Sequence, residues 1–294
     1  MTEETSTPPS DETQIDDLEP ESPKIEYTDP VAKLLTLGEP RVGLEHWGIY
    51  FDLGIRREHI PALIQMVGDD ALYEAESDSP SVWAPVHAWR ALGNLKAKEA
   101  VEPLLRELWR GEDGDDWMQA EFGFVMMMIG APAIPALNIY LNPEPLHGTL
   151  PRIAVIWSLI NIATQDDRLR IAVGEIFRQQ LEKYERHYPI VNAYLAFGLV
   201  LTTDPEDSAE LVSQAALAKR IDVETFDNLM SRMAEIIGED DDLGEDEEWE
   251  PGGFPFLSPA ASPTPSSSRK ANKTVKAKRK QAAKSRKQNR KKRK

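Results

Sequence analysis

The side chains that could take part in catalysis or bind a metal are few and widely spaced. The chain has no cysteine, which excludes disulfides, thiolate nucleophiles and cysteine-ligated metal sites. No HExxH, GxGxxG or GxxxxGK[ST] pattern occurs, so no zinc-protease helix or phosphate-binding loop is predicted. A base or ligand role for histidine would require convergence in space, and we interpret the five as structural: His46, His59, His87, His147 and His187.

Two acidic segments, 74–78 and 112–116, could supply oxygen ligands to calcium or magnesium. Neither has the spacing of an EF-hand loop with its terminal glutamate. We therefore interpret both as solvated loops, and the sequence predicts no metal, no cofactor and no catalytic residue.

The C-terminal segment 269–294 carries 15 lysines and arginines and no acidic residue. Because the whole chain has a net charge of −16, the preceding 268 residues carry −31. Such a tail is expected to bind the phosphate backbone of nucleic acid without sequence preference, and its lack of aromatic residues argues against base stacking. The residues predicted to do so are Lys276, Lys278, Arg279, Lys280, Lys284, Arg286, Lys287, Arg290, Lys291, Lys292, Arg293 and Lys294.

Composition divides the chain into four segments. Residues 1–30 contain ten acidic residues and only one lysine, which predicts a disordered acidic segment. Residues 31–238 are rich in apolar residues and are long enough to bury a sizeable core. Residues 239–268 form an acidic run followed by a Pro/Ser-rich linker, and 269–294 form the disordered basic tail.

Three segments share a proline and an apolar pattern that is typical of an amphipathic helix. The positions two, five and six residues after Pro61, Pro103 and Pro135 are apolar. These spacings define one helical stripe, and proline is tolerated in the first turn of a helix. The predicted buried positions are Leu63, Met66, Val67, Leu105, Leu108, Trp109, Leu137, Tyr140 and Leu141.

A glycine precedes each of these prolines and is predicted to end a preceding helix. The three are Gly54, Gly93 and Gly130, which are 39 and 37 residues apart. A second buried stripe is predicted four residues and one residue before them, at Tyr50, Leu53, Trp89, Leu92, Met126 and Ile129. The repeating unit is therefore helix, glycine, turn, helix, which is typical of an α-solenoid.

Further helices are predicted at 153–163, 169–184, 190–201, 205–219 and 223–237. Residues 31–238 show no sustained alternation of apolar and polar residues, so we predict no β-sheet. The total is about eleven helices, of which the last would cap the array.

The blocks AWRALG at 88–93 and AVEPLL at 100–105 resemble HEAT-like repeats, including those named after phycobilisome lyases. Residues 60–67, 89–108 and 177–193 are similar to a bacterial helical domain of unknown function that often precedes a zinc-binding SEC-C module. This chain has a basic tail in place of that module, which cannot form without cysteine. Spacing and composition predict an all-α, HEAT-like α-solenoid of about five helix pairs plus a capping helix, with disordered termini. The resemblance implies a scaffold rather than a known reaction.

These features favour a non-enzymatic scaffold that binds a protein partner through the solenoid surface and nucleic acid or the ribosome through its tail. Two alternatives remain open: a bilin lyase-like enzyme acting on a phycobiliprotein, which the resemblance suggests, and a protein whose tail only docks on its own acidic domain. The apolar stretch 124–137 is too short to span a bilayer, and the N-terminal sequence lacks the features of a signal peptide. We therefore expect a cytoplasmic protein, or a nuclear one in a eukaryote, without a membrane partner.

Overall fold

Helices account for all the regular secondary structure that is described. The computed structural model describes residues 25–41, 43–111, 116–144 and 147–240, and only the backbone of residues 111, 116, 117, 119 and 236–240. No β-strand occurs in these ranges, as the sequence predicted. The α-helices are α1 (Ile49–Asp52), α2 (Ile60–Val67), α3 (Asp70–Tyr73), α4 (Ala84–Asn94), α5 (Val101–Glu107), α6 (Asp116–Ile129), α7 (Ile134–Leu141), α8 (Thr149–Ala163), α9 (Asp167–Leu181), α10 (Pro189–Thr202), α11 (Pro205–Leu217) and α12 (Val223–Asp240).

Proline lies in the first turn of seven of these helices, and the repeat pattern predicted three of these positions. Pro85 and Pro151 stand at the second and third positions of α4 and α8. Pro61, Pro103 and Pro135 stand at the second or third position of α2, α5 and α7. Pro189 and Pro205 are the first residues of α10 and α11. At this end of a helix the N–H groups have no intrahelical acceptor, so the missing proline N–H costs no hydrogen bond.

Two of the three predicted helix-ending glycines are confirmed and one is wrong. Gly54 and Gly130 have positive φ angles of 89° and 78°. Gly130 directly follows α6, and Gly54 follows α1 after the single residue Leu53. Gly93 instead lies inside α4, which continues to Asn94. A Cβ atom at Gly93 would lie 3.2 Å from the sulfur of Met128 and 3.4 Å from the Cα of Val125, both on α6. This glycine therefore allows α4 and α6 to approach closely.

The helices pack in two rows. In one row, α4, α6, α8, α10 and α12 each contact the next member, and in the other row α2, α5, α7, α9 and α11 do the same. Contacts of α2 with α4, of α8 with α7 and α9, and of α10 with α9 and α11 join the two rows. The core lies between them and includes the buried aromatic side chains of Trp47, Trp89, Phe122, Phe177 and Phe197.

The predicted stripes form most of this core. Seven of the nine positions after the prolines are buried, and Tyr140 is half-buried. Trp109 is 44% exposed, because α5 ends at Glu107 and the chain continues as a 3₁₀ helix over Leu108–Gly111. The change in pitch rotates Trp109 away from the stripe. Of the six positions around the glycines, all but the half-buried Leu53 are buried.

The first described residues already contact the fold. The hydroxyl of Tyr27 donates a hydrogen bond to Asp69 over 2.8 Å, although the sequence assigned residues 25–30 to the N-terminal acidic segment. Segments 1–24 and 241–294, including most of the predicted linker and the whole basic tail, lie outside the described residues.

Candidate functional site

Three arginine side chains are buried in the described part of the chain, and they differ in what balances their charge. Arg90, Arg110 and Arg152 are between 0 and 3% exposed. A guanidinium remains protonated in proteins, so burial must be offset by counter-charges or hydrogen bonds. The partners of each guanidinium therefore show whether its charge and its hydrogen-bond donors are compensated.

Arg90 on α4 is neutralised by Glu121 on α6. Its Nε donates to Glu121 Oε2 over 2.7 Å, and its Nη2 forms an ion pair with Oε1 of the same carboxylate. Its Nη1 donates to the carbonyl of Arg41 over 2.8 Å, and Trp89 Nε1 donates to Glu121 over 3.0 Å. Burial opposes the charge, but Glu121 outweighs it and the pKa of Arg90 is raised. This network joins the two helices and is complete.

Arg110 also has carboxylate partners. Its Nε donates to Glu107 over 2.6 Å and its Nη2 to Asp70 over 2.7 Å. The guanidinium lies 4.0 Å from the ring centre of Tyr73 and 4.8 Å from that of Trp109. Burial opposes the charge here too, yet Asp70 and the other neighbours raise the pKa of Arg110.

Arg152, in the first turn of α8, is bound only by backbone carbonyls. Its Nη2 donates to the carbonyls of Leu141 over 2.9 Å and Asn142 over 3.0 Å, which lie at the end of α7. Its Nε and Nη1 are buried and have no hydrogen-bond partner among the described residues. Among the described ion pairs none involves Arg152, and burial lowers its pKa. Of the three buried arginines, this one alone lacks a carboxylate partner among the described residues.

Further polar side chains converge on Asn142 beside this arginine. The amide oxygen of Asn142 accepts hydrogen bonds from Gln180 Nε2 at 3.3 Å and Lys183 Nζ at 3.4 Å. His187 is 2% exposed, and neither of its ring nitrogens has a hydrogen-bond partner in the part of the chain that the structure describes. The side-chain oxygen of Gln180 is likewise buried and unpartnered. We refer to Asn142, Arg152, Gln180, Lys183 and His187 as the Arg152 cluster.

Three positive charges act on the ring of His187. Burial lowers the pKa of His187 to about 4, and the positive charges of Arg152, Lys183 and Arg186 lower it further. The carbonyl of Gln180 acts in the opposite direction but forms no hydrogen bond of good geometry with the ring. At neutral pH the imidazole is therefore uncharged, with one N–H donor and one acceptor nitrogen.

Two other histidines, His87 and His147, contact neighbouring side chains. His87 Nε2 must donate to the carbonyl of Gly38, at 2.9 Å, so Nδ1 accepts from the Tyr50 hydroxyl, also at 2.9 Å. Burial lowers the pKa of His87 to about 4. His147 stacks on Tyr140 with ring centres 3.7 Å apart. Its pKa is lowered by burial and by the charge of Arg152, which places it close to the Arg152 cluster.

The residues that the sequence singled out for binding are not those of the Arg152 cluster. All twelve predicted nucleic-acid-binding residues, from Lys276 to Lys294, lie outside the described residues, as does acidic segment 112–115. Segment 74–78 is described, and within the described ranges no three His, Asp or Glu side chains converge as metal ligands would.

The sequence analysis considered His187 but did not identify Arg152 as a buried charge, although one feature of the sequence indicated it. Arg152 is the only charged residue between Glu144 and Asp166, and it begins an apolar helix. A lone arginine in such a segment indicates a buried charge that needs a partner. The partners themselves come from 10 to 35 residues away along the chain, which no local pattern could identify.

No single helix among the described residues has both the length and the hydropathy needed to cross a membrane. The segments 120–129 and 131–141 reach those values only as a pair, and they are bent by 110° with respect to each other.

Comparison with known proteins gives no relative: no family model, curated protein or solved structure matches the chain.

Proposed function

We propose that the protein is a non-enzymatic cytoplasmic scaffold of the HEAT-like α-solenoid type. It binds a protein partner on its helical surface and attaches to nucleic acid or the ribosome through residues 269–294. The observation that carries this proposal is the packing of each helix against the next member of its row. Stacked helix pairs of this kind form an extended surface that solenoid proteins use to bind other proteins.

The row formed by α2, α5, α7, α9 and α11 carries large apolar side chains that the fold does not cover. Ile139 on α7 is 67% exposed, Ile171 on α9 is 66% exposed and Leu217 on α11 is 84% exposed. Single exposed apolar residues are ordinary, but their presence on three successive helices of one row supports a protein-binding role for this side.

The basic tail supports the second half of the proposal. Its fifteen positive charges stand without a single acidic residue, whereas the first 268 residues carry −31. A polyanion is therefore repelled by the rest of the chain and attracted by the tail. Contacts of lysine and arginine with phosphates do not depend on base sequence, so the tail would act as a tether.

The tether is tested by measuring the affinity for duplex DNA and RNA at several salt concentrations. If about half of the tail charges contact phosphates, the slope of log affinity against log salt is roughly −6 to −7 on duplex DNA. Three chains are compared: the full chain, the chain ending at Ser268, and a chain in which the nine acidic residues of 239–250 are replaced by Asn and Gln. We expect the chain with the neutralised acidic run to bind most tightly, the full chain to bind less tightly and the chain ending at Ser268 to bind most weakly. Equal affinities, or an unchanged salt slope after truncation, would show that the tail is not a tether.

The protein-binding surface is tested by affinity capture from nuclease-treated lysate with charged surface variants. Ile139→Glu and Ile171→Glu are expected to lose captured proteins that the unmodified chain retains. Ile49→Glu is the matched control, because Ile49 is 42% exposed but lies on α1, outside this row. Circular dichroism checks that each variant stays folded. Equal capture by all three variants would exclude this row as the binding surface.

A further inference from the structure

We propose that the uncharged segment 254–257 of this chain, Phe-Pro-Phe-Leu, docks on an exposed apolar surface where α8, α10 and α12 begin. This surface, which we call the apolar edge, consists of Leu150, Tyr188, Leu217 and Val223. The inference does not depend on the proposed scaffold function, because it concerns a contact within one chain and requires neither a protein partner nor nucleic acid.

Hydrogen bonds between helix ends place the starts of these three helices on one edge of the two rows. Arg152 at the start of α8 donates to the carbonyl of Asn142, just after α7, over 3.0 Å. The amide oxygen of Asn142 also accepts from Lys183, just after α9, at 3.4 Å. The N–H of Asp222, which precedes α12, donates to the carbonyl of Pro189 at the start of α10 over 3.0 Å.

Large apolar side chains are exposed at each of these helix starts. Leu150 is the second residue of α8, Tyr188 directly precedes α10, and Val223 begins α12. Leu217 ends α11, on the other side of the turn that leads into α12. These are four of the nine exposed large apolar side chains of the described residues, and they are 44–84% exposed. Isolated exposed apolar residues are ordinary, but a group of them on one edge indicates a docking surface.

The charges beside the apolar edge are balanced, so the edge favours neither the acidic run nor the basic tail. Arg220 forms an ion pair with Glu185 at 3.4 Å, and Arg186 pairs with Glu144. Lys219 and Glu224, which flank the turn between α11 and α12, are exposed and opposite in sign. An uncharged apolar segment is therefore the better match, because it leaves no charge unpaired on docking.

One segment beyond α12 has this composition. Residues 251–268 contain no charged residue, although an acidic run precedes them and the basic tail follows. Three of the six large apolar residues of 241–294 lie within four positions there, as Phe254, Phe256 and Leu257. Pro255 restricts the backbone between the two phenylalanines, which lowers the entropy lost on docking.

The length of chain after α12 is sufficient for this contact. α12 has 18 residues, so its end lies about 27 Å from its start at the apolar edge. Phe254 follows Asp240 by 14 residues, and a chain of that length spans about 21 Å on average as a coil and up to about 46 Å when extended. A short connection of this kind gives an effective concentration in the millimolar range, so even a weak contact is populated.

The experiment measures paramagnetic broadening in the full chain. The sequence has no cysteine, so Ser262→Cys provides a single attachment site for a nitroxide five residues after Leu257. The methyl signals of Leu150, Leu217 and Val223 should be at least about twofold weaker with the oxidised than with the reduced label, because the tethered segment stays near them. Ile49, on α1 before the first helices of both rows, is exposed and should keep its intensity.

Substitutions in the segment itself leave the described helices untouched. Replacing Phe254, Phe256 and Leu257 by alanine should restore the methyl signals of the apolar edge. Leu243→Ala is the matched control, since Leu243 is also apolar and also lies beyond α12, and the broadening should persist in it. On the docking surface, Leu217→Gln together with Val223→Gln should remove the broadening at Leu150, whereas Ile171→Gln, an exposed apolar position near the start of α9, should not.

Other occupants of the apolar edge give different results. Broadening that appears when isotope-labelled chain is mixed with spin-labelled chain would assign the edge to the segment of a second copy, and docking within one chain would be wrong. Broadening centred on Ile139 and Ile171 would place the segment on the other row and would also contradict the proposal. If the alanine variant keeps the broadening, or if Ile49 is affected as strongly as Val223, the segment does not dock on this edge.

Discussion

Arg90 and Glu121 are buried together, so neither can be changed without consequences for the other. Replacing Glu121 by glutamine leaves the guanidinium charged, because arginine does not lose its proton in proteins. We expect Glu121→Gln to lower the free energy of unfolding by about 3–5 kcal/mol, the usual cost of breaking one side of a buried ion pair.

Urea denaturation measures this effect, and Glu99→Gln supplies the comparison. Glu99 pairs with Arg57 at 3.7 Å, but both side chains are about half exposed. An exposed pair contributes less than about 1 kcal/mol, so Glu99→Gln should be close to neutral. Similar losses in the two variants would contradict the role assigned to the Arg90–Glu121 network.

Because His87 and His187 are buried as neutral rings, we expect the protein to lose stability in acid. Burial lowers the pKa of both His87 and His187 from the usual 6.5 to about 4, so the unfolded chain binds more protons between these pH values. The free energy of unfolding should therefore fall as the pH is lowered from 6.5 to 4. Each histidine contributes up to about 3 kcal/mol of this fall.

Denaturation at a series of pH values in phosphate-free buffer checks the prediction. His187→Gln removes one of the two titrating groups, and we expect a shallower decline over this pH range. An identical decline in the variant and the unmodified chain would mean that His187 is not buried as a neutral ring.

At the scale of single helices, substitutions in α5 and α7 test whether the residues of the apolar stripe form the contacts between helices. Leu105 is 6% exposed and Leu137 is fully buried, whereas the neighbouring Arg106 is exposed. We expect Leu105→Ala and Leu137→Ala each to lower the free energy of unfolding by about 2–5 kcal/mol, because each leaves a cavity. Arg106→Ala should change it by about 0.5 kcal/mol or less. Chemical denaturation distinguishes these ranges, and equal losses at positions 105 and 106 would show that the stripe is wrongly assigned.

The same helices show where local patterns fail. The proline positions and the stripe of α5 follow from spacing alone, since a helix places residues three and four apart on one face. Gly93 has the sequence context of a helix end, but it lies inside α4, where the lack of a side chain allows α6 to pack closely. A glycine can serve either purpose, and only the position of a neighbouring helix decides between them.

At the scale of the whole molecule, residues 25–240 contain all the described helices. We expect this fragment to keep the helical circular dichroism signal and thermal midpoint of the full chain, because the remaining segments have too little apolar residue content to offset the entropy of ordering. A fragment that begins at residue 31 loses the Tyr27–Asp69 hydrogen bond and should be less stable by about 1 kcal/mol. A strand signal, or a large drop in midpoint for the 25–240 fragment, would contradict this assignment.

The sequence by itself determined the helical content, the approximate bounds of the last five helices and the contrast in charge between the tail and the rest of the chain. These properties are local or additive: helix periodicity repeats every few residues, proline acts on its own turn, and net charge is a sum over residues. Core positions such as Leu63 and Met126 could therefore be read from spacing.

Only the tertiary structure decided which buried charges are paired. Glu121 lies 31 residues from Arg90, and Lys183 lies 41 residues from Asn142 in the Arg152 cluster. Nothing in the spacing of these residues distinguishes Arg90, which meets a carboxylate, from Arg152, which meets only carbonyls. The difference arises because packing of the helix rows sets which side chains meet across a helix interface, and a buried charge is governed by those neighbours rather than by its place in the sequence.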